Sequence, residues 1–66
     1  MKNRLKVARA EMDFTQEELA KRIGVSRQSI NAIESGRYVP STVLALKMAL
    51  VFGKPVEEIF MLDEND

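Results

Sequence analysis

Three hydroxyl residues able to start a helix are each followed about three turns later by a glycine able to stop one: Thr15 and Gly24, Ser26 and Gly36, Ser41 and Gly53. A short hydroxyl side chain accepts a hydrogen bond from an N–H that the first helical turn leaves unpaired. Glycine takes the left-handed conformation that ends a helix. This punctuation cuts the chain into helices of two to three turns, joined by connections of about two to five residues. Helices that short are stable only when packed on one another, which restricts the fold to a compact helical cluster.

The apolar spacing within each segment says which side packs. From about Arg4 to Met12, Leu5, Ala8 and Met12 recur at helical intervals, with Lys6 and Arg9 on the same segment. Thr15-Gln16-Glu17-Glu18 is a capping box, so a second helix begins near Gln16 and buries Leu19, Ala20 and Ile23. Ser26 caps a third helix with Ile30 and Ile33 inward. Arg37-Tyr38-Val39-Pro40 is a loop, because Pro40 biases Val39 away from helix, and Ser41 caps a fourth helix running to about Phe52. Pro55 suits the first position of a fifth, short helix ending near Phe60. The tail from Met61 to Asp66 is expected to fray, although Phe60-Met61-Leu62 could pair as a strand with the first few residues.

Sixty-six residues, 45% apolar and 30% charged, suit one globular domain with a modest core. The chain has no cysteine and no histidine. Disulfides, thiolate or imidazole metal sites and the commonest general base are therefore excluded, and oligomerisation remains the common way to supplement a small core. Neither a cofactor, a metal nor an enzymatic activity is expected, and no small-molecule ligand is evident. Glu17-Glu18 and Glu57-Glu58 are adjacent at helix starts rather than convergent across a cleft. No apolar run approaches the roughly 18 residues needed to span a bilayer, and the N-terminus lacks the apolar core of a signal peptide, so the expected location is the cytoplasm, away from membranes.

The formal net charge of zero hides an asymmetry. Through Lys54, ten Lys and Arg face five acids, and the last twelve residues carry five acids and no base. A basic body thus ends in an acidic tail.

The most informative unit runs from Gln16 to Ser35: a capped helix, a tight turn at Gly24, and a second capped helix. Two short helices crossing steeply need a small residue at closest approach, which Ala20 supplies, while Val25 drops between them as an anchor. With Ile30 inward at 100° per residue, Arg27, Gln28, Asn31, Ala32 and Ser35 turn away from the core. That face is polar, short-chained and free of acids. Gln and Asn can bond adenine through two contacts and Arg can bond guanine, while Ala can touch a thymine methyl, so the face suits a DNA major groove.

Leu5, Arg9, Thr15 to Ala20, Gly24 to Ile30, Ile33 to Gly36 and Pro40-Ser41 together resemble the Cro/CI helix-turn-helix family, the xenobiotic-response-element regulators, over Leu5 to Phe60. The resemblance implies an all-α, five-helix domain of the lambda-repressor type, spanning residues 1–66, with the second and third helices as the reading unit. It also implies a transcriptional regulator, most often a repressor, acting as a homodimer on double-stranded DNA at a pseudo-palindromic operator. By the same resemblance Arg27, Gln28, Asn31 and Ala32 stand at base-reading positions, and Gln16, Ser26, Ser29, Arg37 and Tyr38 at positions near the DNA backbone. Arg9 and Glu34 match a pair that forms an internal salt bridge. The chain departs from the pattern at Met12, where a basic residue is common, and at Asp13, where Gly or Asn usually ends the first helix.

Read without the family, Lys21, Arg22 and Arg37 serve equally as a solvated basic face, Ser35 as a turn residue, and Tyr38 as a cover for the core edge. In the fourth helix, Leu44, Ala45, Met48, Ala49 and Phe52 form one apolar stripe, and Val43, Leu46 and Leu50 a second on the opposite side. A helix apolar nearly all round is normally covered on both sides, so the second stripe is expected to form a symmetric dimer interface. The competing arrangement folds the fifth helix and tail over it. The alternative function is an antitoxin-like or other protein-interaction module with autoregulatory DNA binding.

Overall fold

In the computed structural model, which describes residues 1–66, the elements run β1 (Lys2–Asn3), α1 (Leu5–Glu11), α2 (Gln16–Ile23), α3 (Arg27–Glu34), α4 (Thr42–Phe52), a 3-10 turn (Val56–Glu58) and β2 (Phe60–Met61). The hydroxyl caps form as their spacing requires. Thr15 accepts from the Glu18 N–H in a complete capping box, Ser26 from the Ser29 N–H, and Ser41 from the Leu44 N–H.

All four helices end alike, with a left-handed residue just past the last turn and the next N–H reaching back five residues. The closing bonds are Phe14 N to Arg9 O (3.0 Å), Val25 N to Ala20 O (3.0 Å), Arg37 N to Ala32 O (3.0 Å) and Lys54 N to Ala49 O (3.1 Å). Gly24, Gly36 and Gly53 hold three of the left-handed positions, and Asp13, with φ 58°, holds the fourth. Met12 is consequently the cap of α1 and 44% exposed, not the inward residue its spacing suggests.

The expected fifth helix is a 3-10 turn, so the domain has four α-helices and a two-stranded sheet. Pro55 is extended (ψ 144°) and precedes the turn instead of opening a helix. Ile59 is then drawn fully into the core, and its carbonyl accepts from Arg4 N at 2.7 Å. Phe60 and Met61 pair antiparallel with Asn3 and Lys2. Four residues between Pro55 and the strand at Phe60 leave no room for an α-helix. The tail is tied down beyond β2, because the Met1 amine lies 3.0 Å from Asp63 Oδ2 and 3.1 Å from Asp66 Oδ2.

The core is one cluster to which every α-helix and the β2 segment contribute, with Leu5, Leu19, Ile30, Ile33, Met48 and Ile59 fully buried. Ala20 is buried in the cluster, and Val25 packs against it from the turn. Asn3 staples three elements: its Oδ1 accepts the Leu5 N–H at 3.1 Å, and its Nδ2 donates to Ile33 O at 2.9 Å at the end of α3. Met48 and Phe52 of α4 face the core, and Leu44, Ala45 and Ala49 flank it. Val43, Leu46 and Leu50 are 64%, 51% and 83% exposed, so neither the 3-10 turn nor the tail covers the second stripe. No helix is long and apolar enough to cross a membrane.

Candidate nucleic-acid interface

The exposed side of α3 is set by its buried one. With Ile30 and Ile33 in the core, Arg27, Gln28, Asn31 and Ala32 line one open concavity. Arg37, which follows the glycine stop, lines it with them. Its N–H is bonded to the Ala32 carbonyl, which brings its backbone back over the last turn of α3. Gln28 makes no hydrogen bond to another side chain, so its amide keeps both a donor and an acceptor available.

The residues expected near a DNA backbone occupy the margins. Ser26 and Ser29 share a hydroxyl–hydroxyl bond of 3.0 Å at the start of α3. Tyr38 lies in the loop after α3 and is 47% exposed. Gln16, at the first turn of α2, is bonded on both sides: its Nε2 donates to Glu34 Oε1 at 3.3 Å, and its Oε1 accepts from Arg27 Nη1 at 3.4 Å.

Glu34 is the carboxylate nearest this face and is already spoken for. Arg9 Nε and Nη2 donate to its two oxygens at 2.8 and 3.3 Å, while Arg9 Nη1 donates to the Phe14 carbonyl at 2.8 Å. The Glu34 side chain is 8% exposed. Its charge is therefore neutralised inside the scaffold, and α1, the α1–α2 connection, α2 and α3 are locked in one bonded group. A further depression beside it is lined by Lys6, Arg9, Gln16, Asn31, Glu34 and Ser35, which brings Lys6 to the same side. Lys6 was legible as a partner of Arg9 one turn on, but spacing within α1 alone does not say that this flank meets α3.

Three other acids lie elsewhere. Glu11, Glu57 and Glu58 line a different depression with Arg4, Val7 and Lys54, on the flank of α1 turned from Lys6 and Arg9. There Lys54 bonds Glu11 and holds its carboxyl below the usual glutamate range. On the outer side of α2, Arg22 sits 4.3 Å from the centre of the Phe14 ring, which itself packs against Phe52. Arg22 thus has a scaffold role as a cation over an aromatic face.

Two short helices joined at Gly24, with an acid-free polar face on the second, define a helix-turn-helix domain. The chain belongs to the Cro/CI-type helix-turn-helix family (HTH_3), which it matches over residues 5–59. It is 53% identical over 66 residues to an uncharacterized HTH-type transcriptional regulator of Methanocaldococcus jannaschii, covering all of both chains. It is 46% identical over 66 residues to YgzD of Bacillus subtilis, an uncharacterized HTH-type transcriptional regulator, again over the whole of both. Among solved structures, the restriction-modification controller protein C.AhdI from Aeromonas hydrophila superposes with a TM-score of 0.79 at 32% identity, over 86% of each chain. A hypothetical transcription factor from Neisseria, NHTF, superposes with a TM-score of 0.76 at 28% identity, over 82% of this chain and 61% of that one.

Proposed function

We propose that this protein is a sequence-specific transcriptional repressor that binds a pseudo-palindromic operator as a homodimer. The observation that carries the proposal is the gathering of Arg27, Gln28, Asn31, Ala32 and Arg37 on one acid-free concavity around α3. Such a set presents hydrogen-bonding groups matched to base edges in the major groove. In this reading Arg27, Gln28, Asn31 and Ala32 face bases. Gln16, Ser26, Ser29, Tyr38 and Lys6 surround them as contacts to phosphates, fixing register without reading sequence.

The exposed stripe of Val43, Leu46 and Leu50 supports the homodimer, since a second copy meeting the same stripe buries both. Two α3 helices related by a two-fold axis would then enter successive major grooves about 34 Å apart, and occupancy of the operator blocks polymerase. The acidic groups fit this arrangement. Asp63 and Asp66 are engaged by the Met1 amine, and Glu57 and Glu58 lie on the flank away from Lys6, so the acids of the C-terminal segment stay clear of phosphate in this reading.

Selecting bound duplexes from a random library at low salt tests the proposal. The expected result is an enriched inverted repeat whose preference relaxes in Gln28→Ala. Failure of the folded wild-type protein to enrich any motif would overturn it and favour an interaction module instead.

A further inference from the structure

Base recognition depends on which edges of each polar side chain remain free, and hydrogen bonds within the reading face have already used some of them. Arg37 Nε donates to Ser35 Oγ at 2.9 Å, and Arg37 Nη2 donates to Asn31 Oδ1 at 3.0 Å. Ser35 Oγ in turn donates to the Ala32 carbonyl at 3.0 Å, which roots the arrangement in the last turn of α3. Nε and Nη2 form one side edge of the guanidinium. With that edge anchored on protein, the end fork of Nη1 and the outer Nη2 hydrogen is free, and Arg37 lines the concavity with Arg27, Gln28 and Asn31. An arginine held this way has lost much of its rotamer freedom before it meets a ligand, and a forked pair of donors matches the O6 and N7 acceptors of guanine.

The same bond changes what Asn31 can do. Reading adenine through two contacts requires the amide oxygen to accept from N6 while the amide nitrogen donates to N7. Here Arg37 occupies one lone pair of that oxygen and fixes the orientation of the amide, which leaves a single lone pair beside a cation to meet N6. We infer that Arg37, although it lies outside α3, is a base-reading residue directed at a guanine, and that Asn31 is its positioning residue instead of an adenine reader. The C-terminal half of the reading face then offers mainly donors, and the operator half-site presents acceptors to it. This inference rests on the DNA-reading proposal above and deepens it by naming the chemistry of one operator position.

The test repeats the library selection with Arg37→Ala, Arg37→Lys and Asn31→Ala, each shown by circular dichroism to melt like the wild type. The expected wild-type half-site contains a G·C pair preferred by about 10-fold or more. Both Arg37 variants reduce that preference to about 2-fold or less, Asn31→Ala relaxes the same pair, and the remaining positions are unchanged. Uniform weakening of all duplexes by Arg37→Ala, with the motif intact and the salt slope lower by about one, would make Arg37 a phosphate contact and overturn the inference. Full retention of the preference by Arg37→Lys would overturn the anchored fork on which the inference rests, since lysine can donate to guanine but has no fork. So would relaxation of an A·T pair by Asn31→Ala alone. A wild-type protein that enriches nothing overturns the DNA-reading proposal and this inference with it.

Discussion

Replacing Glu34 by alanine removes the acceptor of three hydrogen bonds at once: from Arg9 Nε at 2.8 Å, Arg9 Nη2 at 3.3 Å and Gln16 Nε2 at 3.3 Å. With side-chain exposures of 17% for Arg9 and 8% for Glu34, water replaces those bonds poorly. Breaking a buried pair by removing one partner costs about 3–5 kcal/mol, because the other charge is left behind. Arg9 keeps the Phe14 carbonyl and some solvent, which places the expected cost near the lower end, about 3 kcal/mol. In a domain of this size 1 kcal/mol moves the melting midpoint by about 4–8 °C, so Glu34→Ala should melt on the order of 12–24 °C lower. Removing both charges strands neither ion, and the double variant Arg9→Met, Glu34→Leu is expected to cost only about 1 kcal/mol. The assay is thermal unfolding by circular dichroism at one fixed protein concentration, since self-association would itself move the midpoint. A Glu34→Ala cost below about 1 kcal/mol, or two single costs that merely add in the double variant, would refute the reasoning.

Asp13→Gly should stabilise the protein by about 0.5–1 kcal/mol, because it relieves a left-handed Cβ and removes an anion from the negative end of α1, offset in part by glycine's freedom when unfolded. Asp13→Ala retains the Cβ, and an equal gain from it in thermal melts would sink that account. Leu46→Glu and Leu50→Glu should leave helicity intact, since both side chains are exposed, yet convert the protein to monomers in sedimentation equilibrium and weaken operator binding. A wild type that is monomeric while bound to a full operator would contradict the proposed interface. Glu11 should titrate below the ordinary glutamate range because Lys54 bonds its charged form. A depressed folded pKa means that this contribution is present above the unfolded value and lost as pH falls through the folded one. Carboxyl NMR titration checks it: Lys54→Met should return Glu11 to the usual range, and no change on that substitution would rule out the pair.

The local bonds were legible because their partners are close in the chain. Thr15 and Glu18 are three residues apart, as are Ser26 and Ser29, and each glycine stop closes onto a carbonyl in the helix it ends. The inward positions of α2 and α3 follow from helical geometry in the same way, and with them the outward set Arg27, Gln28, Asn31 and Ala32. The resemblance to Cro/CI regulators added the Arg9–Glu34 pair, which links residues 25 apart and which no spacing rule would have paired. Met12 misled because its spacing is helical although the helix has already ended there.

What the amino-acid sequence determined by itself, then, was where helices start and stop and which side of each is apolar, because caps, stops and the 3.6-residue period are decided within a few residues. The tertiary structure decided whatever depends on distant partners. Arg4 and Asn3 capture the Ile59–Phe60 segment and leave a 3-10 turn where a helix was expected. The packing of α4 leaves Val43, Leu46 and Leu50 uncovered. The return of the chain after Gly36 lays Arg37 against Asn31 and Ser35. A backbone group or side-chain edge can bond only what the folded chain brings within about 3 Å, and for these residues that choice is made across elements.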